Sequence, residues 1–166
     1  MSRLLIPRPL TRESFAPFGH VLEIPGAHHY PINKGMTERH HDLAPVELAG
    51  EGARALISIF RGQPYGFPLK LAHLERHPLG SQAFMPLNGR PWLAVVAPDL
   101  PDGEPGRPEA FLCRGDQGAS YPRGRWHAVL TPFGEAQDFL VVDRGGEGVN
   151  LEERLFSEAW EIQAPA

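Results

Sequence analysis

Leu69-Lys-Leu-Ala-His-Leu-Glu-Arg-His77 is the stretch on which the fold turns. Every second residue puts Leu69, Leu71, His73, Glu75 and His77 on one side and Lys70, Ala72, Leu74 and Arg76 on the other. Successive side chains of a strand point to opposite faces, so one face of this strand passes from apolar to polar along its length. A barrel strand does this where it runs from a packed base into a liganded mouth. The polar end is then extended. Four residues separate His77 from Gln82, which alternation places on one face with Phe84, and six more separate Gln82 from Gly89. A second polar group, Pro122-x-Gly124-x-x-His127, follows in order, with Thr131 four residues after His127.

Outward from this stretch the chain reads as short strands between turns. Leu4 to Ile6, His20 to Ile24, Ala53 to Phe60, Gln82 to Met85, Trp92 to Ala97, Glu109 to Cys113, Trp126 to Leu130 and Asp138 to Asp143 are apolar or alternating segments of strand length. Thr11 to Phe15 reads as one or two helical turns with Thr11 at the N-cap. Residues 25–37 and 98–108 read as loops, being rich in Pro and Gly. Leu151 to Trp160 carries Leu151, Leu155 and Ala159 at helical spacing, which predicts a C-terminal helix. The 18 glycines and 18 prolines follow no period, and helix interiors tolerate neither residue. An all-β domain, sandwich or barrel, spanning residues 1–166 is the expectation.

Composition removes several classes of function. The net charge is −4 and no Lys/Arg block stands out, so a nucleic-acid partner is not expected. No run of 18 apolar residues occurs, hence no membrane span. The opening Met-Ser-Arg-Leu-Leu-Ile-Pro lacks the apolar core of a signal peptide, and a cytoplasmic enzyme is the expected class. One cysteine, Cys113, allows neither an internal disulfide nor a thiolate cluster, and a small buried side chain is its expected role. Neither a Gly-x-Gly-x-x-Gly nor a Walker loop is present, so no nucleotide or flavin cofactor is indicated. No Gly-x-Ser-x-Gly elbow supports a serine triad.

The chemistry therefore rests on the polar strand ends. Glu75, His77, Gln82 and His127 form a mixed imidazole, carboxylate and amide set of the kind that suits a divalent Ni, Mn or Zn ion. The alternative is a metal-free pocket in which the same residues act as hydrogen-bonding groups. His40-His41-Asp42 could pass protons, since a carboxylate can fix an imidazole tautomer, whereas His28-His29 reads as solvated loop. Arg61 ends a strand, where a guanidinium can clamp a carboxylate. Arg39, Arg76, Arg125 and Arg144 lie beside other motif residues, and a surface ion pair is the plain reading of each.

The spacing Glu75-x-His77…Gln82…Gly89 with Pro122-x-Gly124-x-x-His127 resembles the two boxes of the cupin barrel. Glu75 stands where that pattern has its first His, and Gln82 where it has Glu. Longer stretches are similar to the ureidoglycolate lyase (ureidoglycolate hydrolase) family: Leu74-Glu-Arg-His-Pro-Leu-Gly-Ser-Gln-Ala-Phe-Met-Pro-Leu-Asn-Gly89, Arg39-His-His-Asp-Leu-Ala44, Ser58-Ile-Phe-Arg-Gly-Gln-Pro64, Arg125-Trp-His127 and Asp138-Phe-Leu-Val-Val-Asp-Arg-Gly-Gly146. Lys34 and His40 depart from that pattern, where relatives can carry Asn and Tyr. The resemblance implies a cupin-type, jelly-roll-like antiparallel barrel, a homodimer, and conversion of (S)-ureidoglycolate to glyoxylate and urea in allantoin breakdown. It implies His77, His127 and Gln82 as catalytic residues, and Arg61, Phe84, Arg39 and His41 as contacts to the substrate. A non-catalytic small-molecule-binding cupin and a metal-dependent isomerase or dioxygenase are the competing readings. The last would prefer a carboxylate where this chain has Gln82.

Overall fold

The computed structural model describes residues 3–166. Ahead of the central stretch come β1 (Leu4–Leu5), β2 (Arg8–Pro9), a helical turn α1 (Arg12–Phe15), β3 (His20–Leu22), β4 (His29–Ile32), β5 (Thr37–His40) and β6 (Arg54–Gly62). The central stretch is β7 (Leu69–Arg76), followed by β8 (Gln82–Pro86), β9 (Trp92–Ala97), β10 (Glu109–Cys113) and β11 (Gly118–Tyr121). The chain closes with β12 (Trp126–His127), β13 (Thr131–Pro132), β14 (Gln137–Gly145) and β15 (Glu152–Ile162). At α1 the Thr11 side chain accepts from the Ser14 backbone N–H while Ser14 answers to the Thr11 N–H, a reciprocal cap. That turn exists to deliver Phe15, which is fully buried.

Two sheets carry the molecule. The larger has the order β1-β15-β7-β12-β9-β10-β2, with β13 also paired to β9, and the smaller has the order β3-β11-β8-β14-β6. The larger sheet curls as a half-barrel facing the smaller. Between them lies a core of Val21, Phe84, Ala119, Phe139 and Val141 from one sheet and Trp92, Ala94, Val96, Phe111 and Cys113 from the other. Alternation on β9 sends Leu93, Val95 and Ala97 the opposite way, into a second cluster with Leu5, Leu74, Trp126 and Ile162. Burial of each such large apolar side chain is worth about 1.5–3 kcal/mol, so β9, buried on both faces, is the spine of the fold.

Three expectations are corrected. Leu151 to Trp160 is not a helix: β15 runs as a strand beside β7, with Glu153 opposite Glu75 and Ile162 opposite Leu69. The stripe at helical spacing is not buried, since Leu155 is 81% exposed. Pairing with β7, together with packing of Phe156, Trp160 and Ile162 into the second cluster, outweighs the local spacing, and a bulge between Leu155 and Trp160 accommodates the misfit. The segment 25–37 is not simply loop either. It holds β4, which pairs with β5 in a ribbon separate from both sheets. Finally β11, placed between β3 and β8, was not anticipated: its Gly-Ala-Ser-Tyr sequence lacks any strong strand signature.

Candidate functional site

Two box segments meet because β12 lies beside β7. His127 is directly opposite Glu75 on one side and Val96 on the other, so Glu75 and His127 share the inward face with the core residue Val96. His77 falls one residue past the end of β7, where the His77 carbonyl accepts from the Gly124 N–H at 2.9 Å and ties the first box to the second. Its ring lies 5.1 Å from that of His127. The ligand atoms of Glu75, His77 and His127 all fall within 4.8 Å of one another.

The hydrogen bonds orient both imidazoles the same way. His77 Nδ1 lies 2.8 Å from the Asn150 carbonyl, and His127 Nδ1 lies 2.8 Å from the Ala128 carbonyl. A carbonyl only accepts, so each Nδ1 carries a hydrogen, and the lone pair of a neutral ring is then at Nε2. Both Nε2 atoms are buried and take no hydrogen bond from the described residues. Asn150 is a double anchor, since its side-chain oxygen also accepts from the Leu79 N–H at 2.8 Å. Tyr121 stacks on His127 with ring centroids 4.5 Å apart and planes 15° from parallel, fixing the ring from the other sheet.

Burial sets the protonation states. It lowers the His127 pKa to about 3, with the nearby His77 adding to the effect, so the ring is neutral at physiological pH. Burial likewise raises the Glu75 carboxyl above its ordinary value, against the opposing influence of His77 and His73. The chemistry available is a close-set carboxyl group, the neutral imidazole of His127 and the imidazole of His77, each ring presenting Nε2 to the others. Cys113 is fully buried with its thiol pushed up, a packing residue rather than a nucleophile.

The other expected residues are distributed as follows. Gln82, 7% exposed, sits on β8 opposite Tyr121 and donates from Nε2 to Asp143 Oδ2 at 3.3 Å, while its Oε1 is buried without a partner among the described residues. Phe84 shares its inward face but lies within an aromatic cluster with Phe60, Trp92 and Tyr121. Arg61 is opposite Asp138 on β14 and grips it with two hydrogen bonds of 2.8 and 3.0 Å. Its neighbour Phe60 faces Phe84, so alternation turns Arg61 to the outside of the smaller sheet. Arg39 and His41 are on and just after β5, where His41 contacts the rings of His28 and Tyr30. The structure thus brings Glu75, His77 and His127 together, with Gln82 linked through Tyr121, and does not join Arg61, Arg39 or His41 to them.

Sequence reasoning missed Tyr121, Asp143 and Asn150. Asp143 and Asn150 had no local mark, and Tyr121 was concealed by the missing strand. Arg76 and Arg125, which sequence placed beside the boxes, stack over Trp126 and Phe18. Arg144 is buried and bonded to the Ala49 and Glu147 carbonyls.

Comparison with known proteins bears on what this site does. The profile of the ureidoglycolate lyase family matches residues 2–163. Among similar chains, a protein of Chelativorans sp. named ureidoglycolate lyase is 58% identical over 163 residues, covering 98% of each chain. One of the same name from Mesorhizobium japonicum is 60% identical over 158 residues, 95% of this chain and 96% of the relative. Another from Rhizobium etli is 55% identical over 166 residues, 100% of this chain and 99% of the relative.

Proposed function

The chain belongs to the ureidoglycolate lyase family, and from that premise together with the Glu75–His77–His127 group we propose that it splits (S)-ureidoglycolate into glyoxylate and urea. Ureidoglycolate is a carbinolamide with one carboxylate. Its cleavage consumes no water: the hydroxyl loses a proton as the C–N bond breaks, the hydroxyl oxygen becomes the aldehyde of glyoxylate, and the departing nitrogen gains a proton. The observation that carries the reading is the pair of buried, unpartnered Nε2 atoms beside a carboxyl group. Either His77 or His127 takes the hydroxyl proton, and it does so at Nε2 because Nδ1 is committed to a carbonyl. Glu75, whose pKa burial raises, returns a proton toward the leaving nitrogen. Gln82 holds the substrate by hydrogen bonding.

The same three residues fit a divalent ion, since two free imidazole nitrogens and a carboxylate are donors that suit Ni, Mn or Zn. Glu75, His77 and His127, with Gln82 Oε1 as a further donor, would hold it, and the ion would lower the pKa of the substrate hydroxyl. Arg61, Arg39 and His41 stand apart from the reacting groups, so their proposed part is to engage the entering carboxylate rather than the carbon that reacts. A cupin-type, jelly-roll-like barrel, a homodimer and a cytoplasmic setting in purine breakdown complete the reading. The curled sheet with Glu75 and His127 paired on its inner face supports the first, and the exposed Ile57 and Ile59 on strand β6 support the second.

The test is urea release from racemic ureidoglycolate by protein purified without a polyhistidine tag, with and without a chelator. Urea is expected from half of the racemate, with activity falling on chelation and returning with added Ni or Mn. Absence of urea from either enantiomer, with and without metal, overturns the proposal. Two variants separate roles: His127→Ala should lower kcat on the order of 10²–10⁴-fold. Arg61→Ala should instead raise KM about tenfold with kcat largely kept.

A further inference from the structure

We infer that Asp143 sets the orientation of Gln82, and that the two residues together read the N–H edge of the ureido group. The inference rests on the ureidoglycolate reading and deepens it. A carboxylate is acceptor only, so the 3.3 Å contact from Gln82 Nε2 to Asp143 Oδ2 fixes which end of the amide faces which way. Nitrogen is held at Asp143, and the oxygen is turned from it. That oxygen, Oε1, is buried with no hydrogen bond among the described residues, on a side chain only 7% exposed. A buried acceptor left unmade is costly, and the side chain is held in that state by a specific partner.

Asp143 itself has the features of a site residue. It is half-buried on β14, and its hydrogen-bonding partner among the described residues is Gln82 rather than a cation. The register of β14 with β8 pairs Val142 with Ala83, so the next step places Asp143 across from Gln82. Gln82 in turn lies opposite Tyr121, the residue stacked on His127. Gln82 Oε1 and Asp143 Oδ1 are thus two acceptors of one cross-strand pair, one strand-pairing step from Tyr121 and the His127 ring stacked on it. Their complement is a group offering several N–H donors along one edge, which is what the ureido end of the substrate presents. Asp143 is in this scheme both a positioning residue for Gln82 and an acceptor for the distal NH₂.

Two inert probes test it by calorimetric binding. N-carbamoylglycine has the carboxylate and the whole ureido group but no hydroxyl, so it cannot release urea. N-acetylglycine has a methyl in place of the distal NH₂. The wild-type protein should bind N-carbamoylglycine about tenfold more tightly than N-acetylglycine, the worth of one charge-assisted hydrogen bond. In Asp143→Asn that preference should largely vanish while the affinity for N-acetylglycine is kept, and KM for ureidoglycolate should rise more than kcat falls. Wild-type protein that releases urea from ureidoglycolate yet binds the two probes equally overturns the inference and leaves the functional reading intact. So does an Asp143→Asn variant that keeps the full preference, or one that weakens both probes alike. Wild-type protein that releases no urea overturns the functional reading and this inference with it.

Discussion

At the scale of single residues, the environment of His127 links the site to acid stability. Its folded pKa of about 3 lies below the ordinary imidazole value of 6.5, and the first cause is loss of water around the cation. A depressed pKa means that the unfolded chain binds a proton which the folded one refuses. The contribution of neutral His127 is therefore fully present above pH 6.5 and is lost as pH falls from 6.5 toward 3. The slope from this one group is about 1.4 kcal/mol per pH unit within that window. Chemical denaturation of wild type and His127→Gln at several pH values should show the variant losing less stability on acidification. Parallel pH dependences would mean that His127 is protonated in the folded protein. Glu75, His77, Gln82 and His127 were legible in the sequence because the spacing that marks them is local, within one strand or one turn. Tyr121, Asp143 and Asn150 were not, because each acts on segments far away in the chain, the first two across a strand register and Asn150 from the loop ahead of β15.

At the scale of elements, the turn joining β7 to β8 connects His77 to Gln82 and is fixed from outside by Arg144. The Arg144 guanidinium donates to the Ala49 and Glu147 carbonyls, while its aliphatic stem lies against Gly80. A Cβ at Gly80 would sit 2.4 Å from Arg144 Cβ, a contact that neither partner can relieve by rotating a flexible end. Gly80→Ala should thus destabilise the fold by about 1–3 kcal/mol and displace both flanking site residues, lowering activity beyond the loss of folded protein. Thermal unfolding and kcat measured on the folded fraction check both parts, and an unchanged Tm would refute the account. The strands around this turn were readable from alternation alone. β15 was not: Leu-Glu-Glu-Arg-Leu-Phe-Ser-Glu-Ala-Trp fits a helical stripe as well as a strand, and the decision lies with β7, which offers a free edge for it to pair with.

At the scale of the whole molecule, the two sheets share the site unequally. Glu75, His77 and His127 belong to the larger sheet or its margin, whereas Gln82, Tyr121 and Asp143 belong to the smaller. Curvature of the larger sheet is what brings the two sets face to face, and no strand-by-strand reading contains it. An occupant held by residues of both sheets acts as a rivet through two plates. Sliding or parting the plates would require it to leave, so the energy of holding it is added to the energy of keeping them together. At a free concentration a hundred times its dissociation constant, a ligand bound only by the folded state adds about 2.7 kcal/mol. Ni or Mn should accordingly raise the Tm of the wild type, and His77→Ala should abolish the rise; a shift that survives the substitution would place the ion elsewhere. The centre would then serve as a fastener as well as a workplace, and starving the cell of the ion would shorten the life of the protein as well as slow the reaction.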